Sequence, residues 1–418
     1  MKRHSKPRAI VAVSGGVDSS VAAWMMLQEG FDVQGIFLKN GVCRWISIGD
    51  HNIINHVLYH DAHDADIVDA MRVAEQIGIP LRIVDMSEAF TEILWDFASE
   101  YIVGRTPNPC VRCNPLVKFR QCMEAADAFD ADTVVTGHYA RIVPPFSPDG
   151  EYELRRAACA AKDQSYVLHG LPREWLRMIR FPIGELDDKE SVRKIARENN
   201  IPISEKHDSQ DICFLPDGDR EAFLRKLRSI QKLISTNSIP ESGQNIIPES
   251  VFMMSEIPNS MTGAIVSSDG KKIGVHPGIE RFTIGQRKGL AVACGARKYV
   301  TDIDPLSGQV TLGDADELLC KGLIADRVNW LISQPENPFT CELKIRYRSR
   351  AVSATIEPNT DVSKPECMEN QHRFRAIFRT PYGAVAPGQY AVMYDGDRVL
   401  GGGRITAPIR ENENHANT

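Results

Sequence analysis

Two cysteines in polar loops pose the chemical question in this sequence. Cys113 lies in Thr106-Pro-Asn-Pro-Cys-Val-Arg-Cys-Asn114, and Cys213 in Ser209-Gln-Asp-Ile-Cys-Phe214. A thiolate is a strong nucleophile and can carry a persulfide. Cys110 adds a C-V-R-C spacing to Cys113, which suits zinc, a redox pair or an iron–sulfur cluster. No second C-x-x-C follows, which argues against a closed zinc finger. Cys110, Cys113 and Cys213 together are a candidate iron–sulfur ligand set, three thiolates with one open coordination position. Cys43, Cys122, Cys159, Cys294, Cys320, Cys341 and Cys367 read as structural.

The second chemical element is Ala12-Val13-Ser14-Gly15-Gly16-Val17-Asp18-Ser19-Ser20. An apolar run, Ala9 to Val13, leads into it. A helical pattern with Trp24, Met25 and Leu27 leaves it, and Gly30 stands at the expected stop. A strand, a glycine turn and a helix together aim backbone N–H groups at a phosphate. Gly15 and Gly16 let the backbone approach an anion without a Cβ in the way, and Ser14, Ser19 and Ser20 add hydroxyls. The stretch is neither a Walker A loop nor a dinucleotide fingerprint. Ser-Gly-Gly-Val-Asp-Ser-Ser resembles the pyrophosphate loop of the ATP pyrophosphatases, which split ATP into AMP and pyrophosphate.

Both elements need a scaffold. The spacing predicts a strand at Phe31–Leu38, a helix capped by Asp61 and stopped by Gly78, a strand at Leu81–Val84 and a helix from about Glu88 to Tyr101. The loop holding Cys113 is stiffened by two prolines, and a helix follows it. A strand at Thr133–Thr136 then runs into Gly137-His138-Tyr139-Ala140-Arg141, and a helix is expected from Lys189 to Asn199. Alternating strands and helices imply an α/β fold with a parallel sheet, whose ligand sits at the carboxyl ends of the strands. Residues 228–262 have no clean period and read as a linker. From about Lys298, short strands and turns predict a small C-terminal β-barrel. The expected division is 1–215, 216–297 and 298–418.

The 418 residues are 43% hydrophobic and 25% charged, an ordinary globular composition. No apolar run approaches a membrane span, and the basic N-terminus has no signal core behind it, so a cytoplasmic protein is expected. A net charge of −6 argues against indiscriminate nucleic-acid binding but leaves room for a local basic surface. Cys341-Glu-Leu-Lys-Ile-Arg-Tyr-Arg-Ser-Arg350 offers one. On a strand, Lys344, Arg346, Arg348 and Arg350 would face one way and Leu343, Ile345 and Tyr347 the core. Arg281, Arg287 and Lys288 add to it. His51, His56, His60 and His63 crowd beside Asp61, Asp64 and Asp66, at spacings that match no metal motif, and read as a solvated insertion.

The motifs taken together resemble the tRNA-specific 2-thiouridylases. S-G-G-V-D-S-S, T-P-N-P-x-x-x-C-N, T-G-H-Y-A-R, K-D-Q-S-Y, S-Q-D-I-C-F, F-T-I-G-Q-R-K-G-L, R-Y-R, P-G-Q and G-G-G-R-I occur in the family's order. The resemblance implies a nucleotide-binding domain of the adenine nucleotide alpha hydrolase kind, a small central domain and a C-terminal barrel. It implies that ATP meets Ala12 to Ser19, Leu38 and Gly137, with Mg²⁺ neutralising its phosphates. Cys113 matches the catalytic cysteine and Cys213 the persulfide-bearing one. Asn108, Pro109 and Cys110 match the segment meeting the target base. His138, Lys162, Asp163, Gln164, Arg346, Tyr347 and Gln389 match tRNA-contacting positions. The implied partners are tRNA and a sulfur-donor protein. The implied reaction adenylates the wobble uridine before cysteine-borne sulfur displaces AMP. This chain departs from many relatives by having Cys110 where they have Asp, a His-rich segment after Asn40, and apparent insertions at 228–262 and about 352–370. Two other readings are a different pyrophosphate-loop enzyme such as a lysidine synthetase, which needs no cysteine pair, and a non-enzymatic RNA-binding protein, which needs no nucleotide loop.

Overall fold

A computed structural model describes residues 6–40, 62–147, 150–206, 212–215, 219–225, 262–290, 292, 296–359 and 373–410. The His51, His56, His60 and Asp61 readings, and residues 228–261, lie outside them.

The first body is built on a five-stranded parallel sheet. Its strands are β1 (Arg8–Ala12), β2 (Asp32–Lys39), β3 (Leu81–Asp85), β4 (Thr133–Val135) and β7 (Ile179–Arg180), in the order β3-β2-β1-β4-β7. β1 is central because Ala9, Ile10 and Val11 are all buried, with side chains alternating between two covered faces. On one face Ala9 and Val11 pack with α1 (Val17–Gln28) and α2 (Ala62–Ile77) through Val21, Met26 and Val73. On the other face Ile10 packs with Phe119, Ala126 and Phe181, and also with Val392 and Tyr394 of the barrel. Gly30, at φ +88°, ends α1 as its position predicts. α3 (Ser87–Ile102) and α7 (Lys189–Glu198) agree with expectation to within a residue. Asp188 caps α7, accepting the Ser191 N–H at 2.7 Å.

The chain passes from β1 outward through β2 to β3, then returns to place β4 on the other side of β1. In parallel sheets such a reversal marks where ligands bind, here at the carboxyl ends of β1 and β4.

The central body is a four-stranded sheet ordered β10-β11-β8-β9. Its strands are β8 (Gly263–Ser267), β9 (Lys272–His276), β10 (Tyr299–Asp304) and β11 (Gln309–Gly313). This corrects the sequence reading, which gave residues from 298 onward to the barrel. β11 pairs in parallel with β8, a long-range contact that the short-range hairpin pattern of β10 and β11 does not announce.

The barrel comprises β12 (Leu319–Trp330), β13 (Phe339–Lys344), β14 (Val352–Asn359), β15 (Arg373–Gly383), β16 (Tyr390–Asp395) and β17 (Arg398–Ile409). β12 pairs with both β15 and β17, which closes the ring. Residues 352–359, read as inserted, form β14. Two strands from the first body, β5 (Ala140–Val143) and β6 (Glu153–Arg156), continue the same sheet from β17. No helix among the described residues is long and apolar enough to cross a membrane.

The barrel is clasped to the first body by ions. Arg404, half-buried, binds Asp326 at 2.7 Å and Glu100 of α3 at 3.0 Å, and both carboxylates are buried. Removing one member of a buried ion group strands the others. Arg404→Met is expected to lower stability by about 3 kcal/mol, read by urea unfolding. A loss below about 1 kcal/mol would show that the clasp is incidental.

Candidate nucleotide and thiol site

The glycine loop forms as its sequence requires. Val13 N–H bonds Ile36 O at 2.8 Å, carrying the chain past the end of β1. Ser19 Oγ accepts the Ser14 N–H at 3.0 Å and donates to Gly16 O, while Ser20 Oγ also reaches Gly16 O at 2.9 Å. Gly15 has φ +72°, and a Cβ there would lie 2.3 Å from the Asp66 carbonyl oxygen. Only glycine fits that turn. Gly137, at the end of β4, comes so close to the first turn of α1 that a Cβ would lie 2.5 Å from Ser19 N. The two glycine segments therefore meet at the carboxyl ends of β1 and β4. Val13 and Val17 are core residues, Ala12 and Leu38 are half-buried, and Ser14 is exposed at the loop.

Asp18 stands in the first turn of α1. Lys189 Nζ bonds both of its carboxylate oxygens at 2.7 Å, and Tyr139 OH donates to it at 2.8 Å. A second lysine, Lys206, bonds Gly15 O at 3.0 Å, Asp66 at 2.7 Å and Asp69 at 2.6 Å. Two ammonium groups thus border the loop.

The thiols lie at the end of the neighbouring strand. Asn40, just past β2, is buried, and its amide reaches Cys213 Sγ at 3.5 Å. Cys113 is not in a loop as the two prolines suggested. It closes α4 (Pro109–Cys113), a helix with Pro109 at its first position, where the missing N–H costs nothing. A π-turn, Asn114–Lys118, joins α4 to α5 (Phe119–Phe129). Cys113 is 5% exposed, and burial pushes its thiol up to about 12, opposed by the Lys118 ammonium. Cys213 is exposed, yet the protein around it also raises its pKa, again opposed by Lys118. Cys110 is exposed on α4. Among the described residues no three His, Cys, Asp or Glu side chains form a group able to hold a metal ion. The iron–sulfur reading of Cys110, Cys113 and Cys213 therefore gains no support from the described geometry.

Comparison with known proteins bears on this arrangement. The family model described as the tRNA methyl transferase HUP domain matches residues 7–217, the corresponding PRC-barrel domain 250–314, and an aminomethyltransferase beta-barrel domain 320–405. The tRNA-specific 2-thiouridylase of Geotalea uraniireducens is 38% identical over 406 residues, covering 97% of this chain and 96% of that one. That of Solibacter usitatus is 39% identical over 399 residues, covering 94% and 98%. This chain belongs to the tRNA-specific 2-thiouridylase family. The thiouridylases are tRNA sulfurtransferases, and the enzyme class follows. Among solved structures, an NMN synthetase from Francisella tularensis covers 60% of this chain and 84% of its own at TM-score 0.29 and 13% identity. A 4-thiouridine synthetase–RNA complex with bound ATP covers 59% and 54% at TM-score 0.30 and 18% identity. Overlaps that slight say nothing about this chain's ligands.

Several positions that the thiouridylase motifs assign to tRNA are engaged inside the protein. Asp163 is buried and accepts Ala157 N–H at 3.2 Å, Ser165 N–H at 3.1 Å and Ser165 Oγ at 3.0 Å, setting up α6 (Ser165–Leu168). Gln164 exchanges two bonds with the Tyr139 backbone, at 2.9 and 2.8 Å, and so holds the strand that carries Tyr139 to Asp18. Gln389 donates to Thr106 O at 2.7 Å, while Thr106 N–H bonds Pro387 O at 2.8 Å. The barrel thus fixes the backbone just ahead of Asn108, Pro109 and Cys110. Lys162 is half-buried beside this region, and Tyr347 packs on Tyr166 with centroids 5.9 Å apart.

The basic strand is shorter than its alternation predicts. β13 ends at Lys344, and Ser349 Oγ turns the chain back by bonding the Arg346 carbonyl. Leu343 and Ile345 are buried as expected, but Arg346 points inward and donates to Ile284 O at 3.0 Å and to Ala384 O. It ties the F-T-I-G-Q-R-K loop to the barrel. Arg348 and Arg350 remain exposed, together with Arg281, Arg287 and Lys288.

His138 is stacked on Phe119 at 5.8 Å and bonded to Thr136 Oγ1 at 2.7 Å. Burial, helped by Lys118, lowers its pKa to about 3 from 6.5. The unfolded chain then binds the extra proton between those values, so stability present above pH 6.5 is lost progressively as pH falls towards 3. His138→Phe is expected to flatten the fall in stability from pH 7 to pH 5, measured by urea unfolding at both; an unchanged slope would deny His138 that role.

Sequence reasoning missed Lys189, Lys206, Asn40 and Lys118. Each lies outside or at the edge of a recognisable motif. Only the fold brings Lys189 and Lys206 to the glycine loop, and Asn40 and Lys118 to the thiols.

Proposed function

We propose that this chain replaces the C2 oxygen of the wobble uridine of tRNA with sulfur, activating that oxygen with ATP. The observation that carries the reading is adjacency. The phosphate-type loop ends β1, and Asn40, bonded to Cys213, ends the neighbouring β2. An activated base and a sulfur nucleophile can therefore share one crevice.

ATP would lie over the Ser14–Ser19 loop beside Gly137, its phosphates facing the N–H groups of the loop and the Lys189 ammonium. Asp18, held at the loop by Lys189 and Tyr139, would be the carboxylate to hold an accompanying Mg²⁺, whose charge would offset that of the phosphates. The uridine C2 oxygen attacks the α-phosphate, and pyrophosphate leaves. A persulfide on Cys213, charged by a sulfur-donor protein, attacks C2 through its terminal sulfur, and AMP leaves with the old oxygen. Cys113 thiolate then attacks Cys213 Sγ. The bond between that sulfur and the transferred one breaks, its electron pair stays on the new thiocarbonyl, and a Cys113–Cys213 disulfide forms. A dithiol reductant restores the pair for another turnover. The base must leave its stack to present its C2 edge, which an anticodon loop permits at low cost. This work belongs in the cytoplasm, where uncharged and charged tRNA circulate.

A lysidine synthetase or a methyl-transferring enzyme has no use for two thiols beside a nucleotide loop. Incubating tRNA with the protein, ATP and a persulfide donor, then digesting it for nucleoside mass spectrometry, tests the reading. 2-Thiouridine dependent on ATP is expected. Lysidine, a methylated base or no change would sink it.

The exposed cations are the surface proposed for tRNA. Arg348→Ala with Arg350→Ala should weaken tRNA binding and lower its salt slope by about 1 for each phosphate no longer neutralised, with ATP affinity unchanged. An unaltered slope would remove this loop from the interface. Arg346 is unsuitable for that test, since its loss would also loosen the central sheet from the barrel.

A further inference from the structure

The chain that leaves α7 is tied down before it reaches Cys213. Ile201 and Ile203 enter the core of the first body with Val192 and Ala196, which keeps the chain against α7. Arg193 then donates to Ser204 O at 2.7 Å and to Lys206 O at 3.0 Å. Arg193 lies one helical turn beyond Lys189, on the same face of α7. The helix that presents Lys189 to Asp18 therefore also fixes the backbone of residues 204–206.

Lys206 carries that fixed backbone to the glycine loop. Its ammonium has three N–H donors, and each has an acceptor: Gly15 O at 3.0 Å, Asp66 at 2.7 Å and Asp69 at 2.6 Å. A Cβ at Gly15 would meet the Asp66 carbonyl, so the glycine turn, the start of α2 and Lys206 form one contact. Cys213 follows seven residues after Lys206, a span of at most about 25 Å. On the far side of Cys213, Phe214 packs edge-on against Phe97 of α3 with centroids 5.1 Å apart, and Leu215 is buried in the same cluster. Asn40 meets the thiol itself. Cys213 is thus held between an anchor on α3 and an anchor on the glycine loop.

We propose that Lys206 is a positioning residue for sulfur transfer: its bond to Gly15 O registers the chain entering Cys213 against the loop that holds the nucleotide. This rests on the thiolation reading and deepens it, naming what sets the sulfur donor against the activated base. The base is activated over the glycine loop, while the sulfur comes from a different segment, and reacting atoms must meet at about 3.5 Å. A misplacement of about 1 Å costs ~10²-fold in rate. The three donors of Lys206 are spent on protein oxygens, so its part lies in placing Cys213 rather than in gripping phosphate.

The test separates the two halves of the reaction in a single turnover. The full chain, charged by a persulfide donor and in excess over tRNA, is mixed with saturating ATP. Pyrophosphate release and 2-thiouridine formation are then followed as two time courses. Lys206→Met is expected to leave pyrophosphate release at the wild-type rate, which also shows that the fold is intact, and to slow 2-thiouridine formation ~10-fold or more. Lys206→Arg should keep both time courses as in wild type, since a guanidinium can make the same three bonds. Equal slowing of both steps by Lys206→Met would overturn the proposal, because a merely structural or nucleotide-binding role acts on both. So would two unaltered time courses, or a Lys206→Arg variant as slow in sulfur transfer as Lys206→Met. These results leave the thiolation reading standing. Wild-type protein that makes no 2-thiouridine would instead end that reading, and this inference with it.

Discussion

Cys213→Ala and Cys113→Ala are each expected to cut 2-thiouridine formation by at least ~10³-fold, the scale seen when a covalent nucleophile is removed. ATP binding should persist, because the glycine loop touches neither side chain. The double variant should be no worse than either single one, since the two thiols serve one relay. Cys113 is buried, and losing its sulfur leaves a small void costing about 1 kcal/mol, too little to unfold the protein. Cys110→Ala should retain most of the activity. Protein purified without oxygen should be colourless and free of iron; about four irons per chain, lost in Cys110→Ala, would replace the persulfide relay with a cluster. Full thiolation by either cysteine variant would remove the relay altogether.

Asp18→Ala and Lys189→Met are expected to have the next largest effect. The pair is bonded at 2.7 Å through both carboxylate oxygens, and Tyr139 adds a third contact. Removing the lysine takes away a charge-assisted contact to phosphate and should raise the KM for ATP roughly 10- to 100-fold. Asp18→Ala should cost ~10²-fold or more in turnover, as loss of metal-assisted charge stabilisation does, with tRNA affinity retained. Ser14→Ala should have a smaller effect in the same direction, since its hydroxyl is exposed at the loop and meets Ser19 Oγ at 3.1 Å. Steady-state kinetics at limiting ATP separates these outcomes. Wild-type KM in Lys189→Met would mean that its ammonium does not reach the phosphates.

The parts of this fold governed by local rules were legible in the sequence. β1 and its glycine loop follow from an apolar run and a turn that only glycine tolerates, and α7 was expected within a residue of its observed bounds. Non-local pairing was not legible. β10 and β11 read as barrel strands because their turns look like those that follow, yet β11 adds to β8. β5 and β6 leave the first body to extend the barrel sheet, which their own residues do not signal. The helix carrying Cys113 was hidden by prolines, which mark a rigid loop and a helix start equally well. At the candidate site, Ser14 to Ser19, Cys113 and Cys213 stood out by type and spacing, and Gly137 through the family resemblance alone. Their electrostatic partners did not, because a lysine in a helix is ordinary until the fold shows what it faces. Arg346 and Gln389 show the converse. Both look like surface recognition residues, and both spend their polar groups on backbone carbonyls that join one body to another.

The most direct test of the central claim, that ATP activates the base whose oxygen sulfur then replaces, follows that oxygen. tRNA carrying a heavy-oxygen label at C2 of the wobble uridine is thiolated in ordinary water, and the AMP is recovered for mass spectrometry. The account predicts one labelled oxygen in each AMP formed per 2-thiouridine. Unlabelled AMP, with the heavy oxygen released to water, would contradict it.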